Sequence, residues 1–209
     1  MKITCIPTGY LGTNTYLILG KYQGKDYSLL IDPAGITDKL KSNMPPKLTA
    51  IILTHGHFDH ILGMEDMLKT GEKIPVYACA KEVPLLEDPS LNHSALIGKS
   101  CVVKADYLLK DGEEVSISSM KFRAMETPGH SVGSMCYYFE EDDVLFSGDT
   151  LFFESVGRTD FPTGDAGALR MSVTEKLFTL KDEVKVYPGH GDFTTIGHEK
   201  MYNPYFRSV

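Results

Sequence analysis

His55, His57, Asp59 and His60 fall within six consecutive positions of the run Thr54-His-Gly-His-Phe-Asp-His60. Three imidazoles and a carboxylate that close together compete or repel unless a cation sits among them. This donor set suits Zn²⁺, Fe or Mn better than Ca²⁺ or Mg²⁺, which prefer all-oxygen shells. The run follows the apolar stretch Leu48-Thr-Ala-Ile-Ile-Leu53 and precedes an amphipathic one beginning at Ile61. It therefore reads as a buried strand turning into a helix, the edge at which α/β proteins place their sites.

Four more segments share one grammar, an apolar strand followed directly or through a glycine by a candidate ligand. Asp32 follows Leu29-Leu-Ile31, His130 follows Thr127-Pro-Gly129, Asp149 follows Leu145-Phe-Ser-Gly148, and His190 follows Tyr187-Pro-Gly189. Strand ends lie side by side in a sheet, so such residues can meet, and a preceding glycine lets the backbone come close to an ion. His55, His57, His60, His130 and His190 with Asp59 and Asp149 make seven donors. Seven exceed the four of one tetrahedral Zn²⁺ and suit two metal ions. Water held between two divalent cations is deprotonated to hydroxide near neutral pH and can attack an acyl carbonyl polarised by one of them. Asp59 is placed to orient that nucleophile. Asp32 either fixes the histidine loop or simply ends a strand in a turn. His93 and His198 lack this context and read as surface or packing residues.

The positioning elements alternate between strands and helices. Strands are expected at residues 15–19, 27–31, 48–53, 74–78, 121–126, 134–139, 144–147 and 184–187. Gly20 to Gly24 supplies a hairpin, and Glu141 to Asp143 another. Helices are expected at 36–41, 59–70 with Gly71 as the C-terminal cap, 81–87 and 169–180, with a short one in the tail after Gly197. Residues 88–105 carry no periodic signal. With 209 residues, 42% hydrophobic and 23% charged, the chain has the makings of one globular domain across residues 1–209. A formal net charge of -7 argues against a nucleic-acid backbone as partner. No apolar run has the length of a membrane span, the N-terminus lacks a secretion signal, and the spread of Cys5, Cys79, Cys101 and Cys136 fits reduced structural thiols. A cytoplasmic location is expected; the oligomeric state is not set.

The combined motifs Thr54-His-Gly-His-Phe-Asp-His60, Thr127-Pro-Gly-His130, Ser147-Gly-Asp149 and Pro188-Gly-His190 resemble those of the metallo-β-lactamase superfamily. Within it, Gly157-Arg-Thr-Asp-Phe-Pro162, Pro188-Gly-His-Gly191 and Thr194-Thr-Ile-Gly-His-Glu199 are most similar to the short bacterial glyoxalase II-like hydrolases. The resemblance implies an α/β (α+β) fold, a four-layer αββα sandwich of two mixed sheets flanked by helices, without a separate C-terminal helical domain. It assigns His55, His57 and His130 to one metal, Asp59, His60 and His190 to the other, and Asp149 to both. It implies two divalent ions, zinc or else Fe or Mn, and a small-molecule thioester substrate such as S-lactoylglutathione. The longer family members follow the equivalent of Gly157 with a basic residue and two aromatics; here Arg158-Thr159-Asp160 keeps only the basic residue. Arg158 is thus a candidate contact for a substrate carboxylate, or a partner of Asp160 or Asp165. Persulfide dioxygenases resemble the chain too. They imply one Fe(II) on His55 or His57, His130 and Asp149.

Overall fold

The computed structural model describes residues 1–22, 24–69, 71, 73–118 and 120–207. In chain order the strands are β1 (Lys2–Thr8), β2 (Thr13–Tyr22), β3 (Lys25–Ile31), β4 (Ala50–Ile52), β5 (Val76–Cys79), β6 (Tyr107–Leu109), β7 (Glu114–Ile117), β8 (Met120–Glu126), β9 (Met135–Phe139), β10 (Val144–Gly148), β11 (Leu151–Phe152), β12 (Ser155–Val156), β13 (Lys185–Pro188) and β14 (Thr194–Thr195). One sheet has the order β1-β2-β3-β4-β5-β6, the other β14-β13-β10-β9-β8-β7, and β11 pairs with β12. Each large sheet mixes antiparallel hairpins with parallel pairs: β3, β4, β5 and β6 run parallel in the first, β10 and β13 in the second.

Alternation along the strands explains the layers. On β2, Tyr16 and Ile18 enter the central core, where they meet Phe122, Tyr137 and Phe146 of the opposite sheet. Leu17 points the other way and packs with Leu30, Ile51, Leu40 and Ile61 under the helices of the first face. On the far side, Tyr138 and Leu145 pack with Val173, Leu177 and Ile196. The helices are α1 (Asp38–Asn43), α2 (Phe58–Ile61), α3 (Met64–Leu68), α4 (Val83–Glu87), α5 (Ala166–Met171) and α6 (Ile196–Tyr202). Helix, sheet, sheet, helix is the architecture that the resemblance implied.

Three expectations need correction. The helix expected over 59–70 is two short ones, α2 and α3, interrupted at Leu62-Gly63. A Cβ on Gly63 would lie 2.5 Å from the Pro33 carbonyl, so close approach to the loop after β3 sets the break. Its expected end, Thr70, lies outside the described residues, while Gly71 takes φ +77°. The helix expected from Leu169 begins at Ala166, because Asp165 caps it through the Ala168 N–H at 2.9 Å, and it continues past Met171 as a π-turn and a 3₁₀ turn to Thr179. Strand β1 was not foreseen: Pro7 breaks its apolar pattern, yet proline is tolerated on an edge strand. Gln23, within the expected hairpin, also lies outside the described residues.

Candidate metal centre

Every candidate ligand leaves the C-terminal end of a strand on one edge of the sandwich. His55, His57, Asp59 and His60 follow β4, His130 follows β8, Asp149 follows β10 and His190 follows β13. The loops are bolted together by backbone hydrogen bonds. Met135 N–H donates to the Thr54 carbonyl at 2.9 Å, and Asn14 N–H donates to the Gly189 carbonyl at 2.8 Å. The Asn14 amide adds donations to the Pro188 and Gly191 carbonyls, so the start of β2 holds the His190 loop. A Cβ on Gly189 would sit 2.1 Å from Asp149 Oδ1 and 2.7 Å from His60 Cε1; only glycine leaves the centre open.

The seven side chains form overlapping groups able to hold metal ions: His55 with His57 and His130, Asp59 with His60 and His190, and His55 with His60 and Asp149. In the first, His57 Nδ1 lies 2.8 Å from His130 Nε2, which lies 3.2 Å from His55 Nε2. With Zn–N bonds near 2.0–2.1 Å, a tetrahedral edge is about 3.3 Å. In the second, His190 Nε2 lies 3.2 Å from Asp59 Oδ2, and His60 Nε2 lies 3.6 Å from the same oxygen. Asp149 stands between the groups, with Oδ1 3.3 Å from His60 Nε2 and Oδ2 3.5 Å from His130 Nε2.

Hydrogen bonds behind the rings decide which nitrogens face inward as bare lone pairs. His130 Nδ1 donates to the Arg158 carbonyl at 2.8 Å. His60 Nδ1 donates to Asp32 Oδ2 at 2.8 Å. Thr54 Oγ1 gives its proton to Asp32 Oδ2 at 2.6 Å, so it accepts from His55 Nδ1 at 3.1 Å. All three Nε2 atoms are then acceptors aimed at one another or at carboxylates. His60 Nε2 and Asp149 Oδ1, which face each other at 3.3 Å, are buried with no hydrogen-bond partner. Buried polar atoms left without partners between these groups are what a cation would satisfy, so the donor set fits two divalent metals.

Charge divides the groups. Burial, then the neighbouring imidazoles, pushes His55 well below its ordinary range, and His57 falls to about 3 for the same reasons. For His60, burial is outweighed by Asp149, Asp59 and Asp32, which hold its proton affinity well above the ordinary range. His190 also rises, against its burial, through its bond to Asp59 and the charge of Asp149. Asp59 and Asp149 stay low despite burial, chiefly because His60 lies beside them.

The supports were only partly foreseen. Asp32, at φ +49°, accepts Thr54 N–H at 2.8 Å in addition to the bonds above, so it does fix the histidine loop. Glu82 was missed. Its fully buried carboxylate accepts Gly56 N–H at 2.9 Å through Oε1 and Gly133 N–H at 2.7 Å through Oε2, clamping the loop of His55 and His57 to that of His130. Thr13 was also missed; it donates to Asp59 Oδ2 at 3.1 Å. The available signal for Glu82 was a carboxylate within the apolar helical stretch 81–87. Arg158 pairs bidentately with Asp160, at 2.6 Å for both bonds, and its guanidinium lies 4.3 Å from the Phe161 ring centre. Asp165 instead caps α5. His198 pairs with Glu154 at 3.0 Å and stacks on Phe153, a packing role as expected. His93 differs: it lines the cavity of about 310 Å³ over the centre, beside Leu11, Phe58, Phe152, Phe161 and Arg158.

Comparison with known proteins agrees with this geometry. Residues 8–190 match the metallo-beta-lactamase superfamily. The probable metallo-hydrolase YqgX of Bacillus subtilis is 38% identical over 98% of this chain and 97% of its own. The hydroxyacylglutathione hydrolase GloC of Haemophilus influenzae is 30% identical over 100% of this chain and 99% of its own. Among solved structures, BLEG-1, a B3 metallo-beta-lactamase, superposes with a TM-score of 0.87 at 40% identity, covering 99% of this chain and 100% of that one. TTHA1623 in a di-iron-bound form gives 0.82 at 34% identity over 97% and 100%. ETHE1 from Myxococcus xanthus gives 0.76 at 30% identity over 98% and 84%.

Proposed function

Because the chain belongs to the metallo-beta-lactamase superfamily and carries the donor groups of a metallo-hydrolase, we propose that it is a binuclear, glyoxalase II-like thioester hydrolase. The observation that carries this reading is the complete second group, Asp59, His60 and His190, joined to the first through Asp149. A single-iron oxygenase would leave those three side chains without work. The likeness to GloC supports the thioester class.

When bound, two divalent metals would supply Lewis acidity, making water acidic and, by polarising the acyl oxygen, the acyl carbon electrophilic. The protein's own residues do the rest. Asp59, oriented by Thr13, accepts a hydrogen bond from the attacking water and holds its oxygen toward the acyl carbon. A C–O bond forms, the C–S bond breaks, and the electron pair leaves on sulfur; a thiolate of ordinary basicity needs little protonation to depart. The products are a carboxylate, a thiol and one released proton, one water having been consumed. Leu11, Phe58, Phe152 and Phe161 supply apolar wall to the cavity.

The test is a substrate panel on metal-reconstituted protein: S-lactoylglutathione, thioesters of uncharged thiols, a β-lactam and glutathione persulfide. Thioester turnover is expected. The β-lactam arm is included because BLEG-1 is a B3 metallo-beta-lactamase. A second reading, glutathione persulfide dioxygenase, draws on the likeness to ETHE1; oxygen consumption on the persulfide, with thioesters untouched, would replace the hydrolase by that enzyme.

A further inference from the structure

His93 combines three features that separate it from a packing residue. Its backbone is left-handed, at φ +65°, a region that a residue with a Cβ enters only under constraint. Its Nε2 is buried with no hydrogen-bond partner. Its ring stacks on His57, with centroids 5.4 Å apart and planes at 25°, and lies 4.6 Å from Phe161, on the wall of the cavity over the metal centre.

The left-handed turn is held from both sides. Asn92 accepts Phe58 N–H on its carbonyl at 2.8 Å, which ties the turn to the helix bearing Asp59 and His60. The Asn92 side chain donates to the Cys101 carbonyl at 2.9 Å and accepts Ser94 N–H at 2.9 Å. A strained residue fixed this firmly beside a reactive centre points to a task for its side chain.

The remaining lining narrows that task. Leu11, Phe58, Phe152 and Phe161 are apolar, Arg158 is occupied by Asp160, and His57, Asp59, His130, Asp149 and His190 belong to the donor groups. His93 is the polar side chain of the described lining that is committed to neither an ion pair nor the centre. An imidazole offers a hydrogen-bond donor or acceptor without a fixed charge. Stacked on His57, it lines the same cavity as the donor groups.

We propose that His93 is a specificity-determining residue that hydrogen-bonds an oxygen substituent beside the scissile carbonyl, so that the site favours 2-hydroxyacyl over plain alkanoyl substrates. The proposal rests on the hydrolase reading.

The experiment compares S-lactoyl and S-propionyl thioesters of one uncharged thiol, which differ in a single hydroxyl, and measures lactate and propionate binding to the same metal-loaded protein by calorimetry. His93→Phe keeps the aromatic wall and removes the polar atoms. His93→Gly releases the strained backbone, and His93→Asn keeps both a left-handed preference and hydrogen bonding. The wild type is expected to favour the lactoyl substrate by about tenfold in kcat/KM, the worth of one hydrogen bond. In His93→Phe and His93→Gly that ratio should fall toward one, mainly through KM, and the lactate-to-propionate binding ratio should fall with it. His93→Asn should restore part of both, and His93→Gly should melt no lower than the wild type. An unchanged ratio in His93→Phe overturns the proposal, as does loss of bound metal in place of lost discrimination. If the wild type cleaves neither thioester, the hydrolase reading fails, and the binding ratio still decides for or against His93.

Discussion

The two halves of the centre solve the same problem in opposite ways. His55, His57 and His130 form a group with no carboxylate of its own, in which burial and mutual repulsion keep His55 and His57 unprotonated. Asp59, His60 and His190 form a mixed group whose carboxylates raise the proton affinity of both imidazoles. Without metal, the second half can quiet its anions with protons; the first has no anion to neutralise and joins His57 Nδ1 to His130 Nε2 at 2.8 Å through the proton of a neutral imidazole. A metal entering the second half must expel the protons that its carboxylates hold on His60 and His190. The anionic half is therefore the pH-sensitive one.

Removing Asp149 should have the largest effect, because its two oxygens face both halves. Asp149→Ala is expected to lose turnover to the metal-free background and to bind fewer than two metals, measured by thioester assay and elemental analysis together. Next come His57→Ala and His190→Ala. Each should lower the metal content by about one per chain and abolish most activity, and spectroscopy of a cobalt-substituted protein should show that different sites are lost. If both variants lose the same site, the division into halves is wrong.

Supports behind the ligands should count for less. Asp32→Asn disturbs the partner of His60, and Glu82→Gln turns an amide N–H₂ against Gly56 or Gly133 N–H. Each should weaken metal binding by roughly 10–100-fold, Asp32→Asn in the second half and Glu82→Gln in the first. Competition with a chelator of known affinity measures both.

The smallest effect concerns the stability of the metal-free protein. With lowered pKa values, His55 and His57 bind fewer protons in the folded than in the unfolded state. Their contribution is lost as pH falls below about 6.5 and toward the folded values. His60 and His190, with raised values, contribute stability that is present below about 6.5 and lost as pH rises through their folded values. Thermal melts of metal-free His57→Ala and His190→Ala across pH should show these slopes changing in opposite directions.

Much of the centre was legible because its grammar is local. A buried strand, a glycine and a ligand-type residue occur within a few positions, and strand ends on one edge must converge. The alternation of strands and helices gave a mixed sheet covered by helices; the four layers came from the resemblance. What stayed hidden depends on distant packing. The break at Gly63 is set by the Pro33 carbonyl, and Glu82 reaches two glycines from a segment that looks like an ordinary short helix. His93 sits in residues 88–105, where no periodicity marks a strand or helix, and its place follows from Asn92 reaching Phe58 and Cys101.

The most direct measurement is the metal-to-chain ratio across pH, read beside thioester turnover. A divided binuclear centre predicts about two metals per chain at alkaline pH and, as pH falls, loss of the ion held by Asp59, His60 and His190 before the other, with turnover lost as it leaves. One iron per chain at every pH, with oxygen consumed on a persulfide and no thioester cleaved, would contradict it.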